Sequence, residues 1–67
     1  MNEFLISAES YVPAFAAAIE AVGGKQIART SWIARWNGTA DALCDRLSPY
    51  LRGRIVVCSL SGDWSYR

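Results

Sequence analysis

Residues 25–36 form a run whose side chains alternate in character with a period of two, set between two segments of helical periodicity. One parity carries Gln26, Ala28, Thr30, Trp32, Ala34 and Trp36. The other carries Lys25, Ile27, Arg29, Ser31, Ile33 and Arg35. Successive side chains of a strand point to opposite faces, so Trp32 and Trp36 share a face. Twelve residues are long for one strand in so small a chain. Two short antiparallel strands meeting near Thr30-Ser31 are therefore expected. One long bent strand is the alternative, since no Gly, Pro or Asn marks a turn there.

The flanking segments fix the order of elements. Phe4-Leu5-Ile6-Ser7-Ala8-Glu9 reads as a first strand, apolar on both faces at its start, which suits a central position. Ser10 is the expected N-cap of a helix whose apolar face is Val12, Phe15, Ala16, Ile19 and Val22. Pro13 fits its first turn, and Gly23-Gly24 ends it. After the break Asn37-Gly38-Thr39, Thr39 should cap a second helix with Asp41 in its first turn. Ala40, Leu43, Cys44, Leu47 and Leu51 are its apolar stripe, Pro49 should disturb its last turn, and Gly53 ends it. Ile55–Leu60 is the clearest strand, β-branched at its start and apolar on both faces. Ser61-Gly62-Asp63 breaks it, and Trp64–Arg67 follow as an aromatic tail.

Strand, helix, strand pair, helix, strand is the order of an α+β, ferredoxin-like split βαβ domain (βαββαβ). It has an antiparallel sheet with two helices on one face. Residues 1–67 form one such domain. The opposite sheet face is left uncovered and must meet a second copy, a nucleic acid or another protein. A chain of 67 residues buries only about 60% of its unfolded surface. With 52% apolar residues, it has more hydrophobic surface than one small core hides, which points to self-association.

Charge and residue types exclude several kinds of chemistry. The net charge of +1 gives no overall electrostatic footprint for nucleic acid. Locally, however, every residue from Gln26 to Trp36 is neutral or basic, and Arg52 and Arg54 precede the last long strand. The absence of histidine excludes His-based acid–base catalysis and Ser–His or Cys–His pairs. Cys44 and Cys58 lie in apolar periodic segments without metal-ligand spacing, as buried thiols of a reducing, cytoplasmic protein would. Neither a signal peptide nor a membrane-spanning stretch is expected.

Candidate contact residues follow from these patterns. Trp32 and Trp36 suit stacking on bases, and equally a core or a dimer interface. Arg29, Arg35 and Arg54 are placed to meet phosphate or another partner; edge cations also discourage strand pairing. Ser31–Trp36 does not match the third-strand signature of an RNA-recognition module. Gly38 and Gly62 belong to simple turns and to no phosphate-cradling loop.

Leu5-Ile6-Ser7-Ala8-Glu9, Thr30-Ser31-Trp32-Ile33 and Leu60-Ser61-Gly62-Asp63 followed by Trp64 resemble the small ferredoxin-like SinR proteins. These are distinct from the helix-turn-helix regulator of that name. They are distant relatives of the VapD-type ribonucleases and of the small CRISPR-associated spacer-acquisition subunit. The resemblance implies a homodimer with facing sheets whose C-terminal segment, here with Trp64 and Tyr66, reaches the partner. It also implies that Glu9 occupies the place of a catalytic Asp at the end of the first strand. Paired across the dimer axis, Glu9 would then hold Mg2+ or Mn2+.

The expected function is that of a cytoplasmic homodimeric interaction protein, binding RNA, DNA or a protein through its sheet without catalysis. The alternatives are a metal-dependent endoribonuclease using paired Glu9, and a small inhibitor or toxin–antitoxin component that docks one target protein.

Overall fold

The computed structural model describes residues 2–67. Its elements are β1 (Asn2–Ala8), α1 (Pro13–Ala21), β2 (Lys25–Ala28), β3 (Ser31–Trp36), α2 (Ala40–Leu47), β4 (Ile55–Ser59) and β5 (Trp64–Tyr66). A 3-10 turn, Ser48–Tyr50, extends α2 where Pro49 removes a helical donor. The fold is α+β: the five strands form one sheet in the order β2-β3-β1-β4-β5, and every neighbouring pair is antiparallel.

Residues 25–36 make two strands. They turn at Arg29-Thr30, with Ala28 opposite Ser31, and the Gln26 side-chain amide donates to the Arg29 carbonyl at 2.9 Å across the turn. This side-chain bond supplies the closure that no turn-favouring residue announces. The register shifts between Gln26 and Ala28, which leaves Ile27 in an irregularity of the edge strand.

Two expectations need correction. Ser10 is not the cap of α1. Proline disfavours the helical region for the residue before it, so Val12 stays extended (φ −127°, ψ 120°) and the helix starts at Pro13 without a side-chain cap. Trp64–Tyr66, expected as an aromatic tail, are a strand. They form β5, which pairs with β4 of the same chain: Tyr66 lies opposite Val56, and Trp64 opposite Cys58. The sheet therefore has one strand more than the four-stranded arrangement expected. Thr39 does cap α2, its hydroxyl accepting the Ala42 N–H at 3.1 Å.

One face of the sheet meets the helices. Phe4 and Ile6 of β1, Trp32 and Ala34 of β3, and Ile55 and Val57 of β4 share that face by register. They form a single buried cluster with Phe15, Ala16 and Ile19 of α1 and Leu43, Cys44 and Leu47 of α2. Phe15 meets Trp32 edge-on, with centroids 5.7 Å apart. Each large side chain sealed in this way contributes roughly 1.5–3 kcal/mol of burial free energy.

Candidate functional site

The same registers define the opposite face, over which neither helix packs its apolar stripe. Its central row crosses all five strands: Lys25, Ile33, Leu5, Cys58 and Trp64. A second row runs Ala28, Ser31, Ser7, Val56 and Tyr66, with the Ser7 and Ser31 hydroxyls 3.3 Å apart. A third joins Arg35 to Glu3. Beside it, Leu60 donates its N–H to the Glu3 carbonyl at 3.2 Å. Leu5 is 38% exposed although it lies on the central strand. Val56, Leu60, Trp64 and Tyr66 are exposed as well. Trp64 and Tyr66 stack on each other, centroids 5.8 Å apart and planes inclined by 16°. The face is thus apolar at its centre, aromatic along β5 and cationic along β2 and β3.

The fold disperses the residues singled out in the sequence. Trp32 is fully buried on the helix face, stacked beneath Tyr11 at 6.5 Å, and Trp36 is partly buried on the same side. They share a face as their spacing requires, but it is the face turned to the core. Neither indole N–H has a partner among the described residues. Arg29 and Arg54 come to the same end of the sheet. Ala8 donates to the Thr30 carbonyl at 2.9 Å on one side of β1, and Glu9 donates to the Arg54 carbonyl at 3.0 Å on the other. Arg35, paired with Glu3, lies at the opposite end.

Glu9 is exposed just beyond β1, and its carboxylate accepts the Arg54 N–H at 3.4 Å. Among the described residues, no three His, Cys, Asp or Glu side chains cluster so as to hold a metal ion. Mg2+ seeks near-octahedral oxygen coordination. A single carboxylate already leaning on a backbone amide is a poor fit, so the donors of one chain do not suit Mg2+ or Mn2+.

Sequence patterns did not single out how β5 is fastened. Arg67 donates to Asp41 Oδ1 at 2.8 Å and to Asp45 Oδ1 at 2.6 Å on α2, and to Ser65 Oγ at 2.9 Å. Ser65 donates in turn to Asp41 Oδ1 at 2.9 Å. The Arg67 hydrogen bond, then that of Ser65, holds the Asp41 carboxyl below its ordinary range, while Asp45 and Asp41 raise the Arg67 guanidinium. Burial pushes the Cys44 thiol up. The one available sequence signal was parity: Ser65 and Arg67 share the side of β5 opposite Trp64 and Tyr66.

Among the described residues, no helix is long and apolar enough to cross a membrane. Comparison with protein-family models, curated proteins and solved structures finds no match for the chain.

Proposed function

We propose that the chain is a small, non-catalytic interaction protein that acts as a homodimer joined through its uncovered sheet face. The observation carrying this reading is the row Ile33–Leu5–Cys58–Trp64, apolar side chains on four adjacent strands with no helix over them. Exposed apolar surface of that continuity marks an interface. A core as small as this one gains stability from covering it. The strand order supports a ferredoxin-like split βαβ core with β5 added beside β4. That arrangement supports kinship with the SinR-like proteins and the CRISPR-associated subunit. Two free thiols, one of them buried, fit a cytoplasmic setting.

The dimer's further partner in this reading is RNA or DNA, met at the sheet end that carries Arg29 and Arg54, since phosphate contacts need positioned cations. The test compares wild-type protein with Leu5→Lys by sedimentation equilibrium, and both with Arg29→Ala/Arg54→Ala for binding labelled RNA and DNA across a salt series with Mg2+ present. The expected result is a wild-type dimer, a folded Leu5→Lys monomer, and binding that falls steeply with salt and weakens in the arginine variant. A wild-type monomer would overturn the self-pairing. Salt-insensitive or absent binding would transfer the partner to a protein target. Cleavage lost on Glu9→Ala would overturn the absence of catalysis.

A further inference from the structure

We infer that the groove at the end of β4 and β5 is a site for one nucleotide, its base laid on Tyr66 and its phosphate held by Arg54. The inference rests on the nucleic-acid partner proposed above for this end of the sheet and adds the pocket.

The groove measures about 510 Å³, within the roughly 300–1,000 Å³ of small-molecule sites. Gly53, Arg54, Ile55, Val56, Tyr66 and Arg67 line it. Tyr66 lies opposite Val56 in the β4–β5 ladder, and both side chains are exposed. One flank of the Tyr66 ring is taken by Trp64, whose plane is inclined to it by only 16°. Trp64 does not line the groove, so the groove meets Tyr66 away from the tryptophan. A flat heteroaromatic ring placed there continues the Trp64–Tyr66 stack as a third layer and packs its edge on Val56. Bases stack on aromatic side chains in this manner whatever their identity. Among the described residues, no amide or carboxylate side chain lines the groove to read a base edge, so the class is a nucleotide and not one particular base.

Arg54 supplies the charge. Glu9 donates its N–H to the Arg54 carbonyl at 3.0 Å, which carries the β1–β4 ladder one residue past Ala8 and Ile55. Two residues before Val56, Arg54 therefore continues the open-face side of β4. Its guanidinium has no ion pair among the described residues, whereas that of Arg67 is held by Asp41 and Asp45. The nearby Glu9 carboxylate accepts the Arg54 N–H and lies outside the groove lining. A guanidinium without an acidic partner, beside an aromatic wall, matches a phosphate attached to a base. A second groove of about 310 Å³ lacks this combination: Asn2, Glu3, Arg35, Leu60 and Ser61 line it, with Arg35 opposite Glu3 and no aromatic ring. The Tyr66 groove opens past the row Ile33–Leu5–Cys58–Trp64 that supports the self-pairing, at the sheet end shared with Arg29.

Titration of isotope-labelled wild-type protein with AMP, followed by NMR, tests the site without any substitution. The expected result is chemical-shift change centred on the Arg54, Val56 and Tyr66 amides, with adenosine and ribose 5-phosphate each binding about ten-fold more weakly. Changes centred elsewhere, or no AMP binding, would overturn the inference. Tyr66→Leu should weaken AMP binding about ten-fold and Tyr66→Phe should keep it, while Arg54→Gln should weaken AMP and leave adenosine unchanged. Equal AMP binding by wild type and Tyr66→Leu would overturn the inference. A DNA tetranucleotide with a terminal phosphate, and its RNA counterpart, distinguish the source of the nucleotide. Tighter binding than AMP at the same amides means the nucleotide of a strand, and equal binding means a free nucleotide. Strand binding that needs Arg29 and Arg54 but not Tyr66 would overturn the pocket and leave the nucleic-acid partner. AMP in the groove with no strand binding would remove that partner and leave the pocket, a distinguishable failure.

Discussion

Asp63 accepts the backbone N–H of Ala40 at 2.7 Å, so the turn between β4 and β5 closes the N-terminus of α2. Thr39 accepts the Ala42 N–H, and two of the helix's orphan donors are met from two separate places in the chain. The turn is itself held by the buried Ser59. Its hydroxyl accepts the Asp63 N–H at 3.0 Å and lies 2.9 Å from the Ser61 hydroxyl. Helix capping and the placing of β5 are therefore one structural unit.

Replacing Asp63 should loosen both ends of that unit. Asp63→Ala removes a carboxylate cap and is expected to cost about 1 kcal/mol. Asp63→Asn keeps an acceptor and should lose only the charge–dipole part, roughly 0.3–1 kcal/mol. Urea unfolding of the three proteins checks the order. An alanine variant as stable as wild type would remove the cap from the account.

Trp32 is a large, fully buried ring whose indole N–H has no partner among the described residues. Trp32→Ala should cost about 3–5 kcal/mol. Against a total stability on the order of 5 kcal/mol for a chain of this size, that leaves about 0–2 kcal/mol and a marginally stable fold. Trp32→Phe loses volume but also removes a buried donor without a partner, whose burial costs about 1–3 kcal/mol. The phenylalanine variant should therefore stay folded, with most of the wild-type thermal stability. Melting followed by circular dichroism separates the two. A phenylalanine variant as unstable as the alanine one would show that shape, not the orphan N–H, dominates.

What the sequence displayed, and what it hid, divides along local and non-local lines. The period-two run with its two tryptophans, the apolar stripes of both helices and the Thr39 cap are local patterns, and they give the element order directly. The start of α1 was also legible, but in Pro13 rather than Ser10, because the steric effect of proline on Val12 outweighs a nearby hydroxyl. The β5 ladder was not legible. Three residues after a Gly-Asp turn carry little strand signal of their own, and the contacts that fasten them, from Arg67 to Asp41 and Asp45, reach a distant helix. The open face was half visible. Leu5, Val56 and Cys58 stood in segments read as apolar on both sides, whereas the turning of Trp32 and Trp36 to the core depended on which face the helices cover.

The end of α1 predicts a contrast between adjacent glycines. Gly23 has φ +87° with open space around it, so Gly23→Ala should cost about 1 kcal/mol through backbone strain alone. Gly23→Asn, which tolerates that region better, should cost less. Gly24 differs: a Cβ there would meet the Ile19 side chain and stand 2.9 Å from the Ile19 carbonyl. That carbonyl accepts the Gly24 N–H at 2.9 Å, and Ile19 is wholly buried, so neither group yields cheaply. Gly24→Ala should be the more destabilising of the two alanine variants by denaturant unfolding. The reverse order would mean that α1 shifts freely on the sheet.

Acid should release β5 before it unfolds the core. The Asp41 carboxyl is held below its ordinary range in the folded chain, first by the Arg67 hydrogen bond and then by that of Ser65. A carboxyl with a lowered folded pKa contributes stability in full above its unfolded value, about 3.9. That contribution is lost as pH falls through the folded pKa. Arg67 stays charged over this whole range, since its shift is upward. The window is therefore set by Asp41 and opens below about pH 4. Both partners are solvent-accessible, so the effect on global stability is small and the readout must be local. The Arg67 N–H, bonded to the Ile55 carbonyl at 2.9 Å, should lose hydrogen-exchange protection as pH falls below about 4 in wild type. In Asp41→Asn, protection should be weaker at the start and change less. An equal loss in both proteins would assign the effect to other carboxylates. Trp64 and Tyr66 ride on the same strand, so the self-association proposed for the open face should weaken over the same window in wild type and less so in Asp41→Asn.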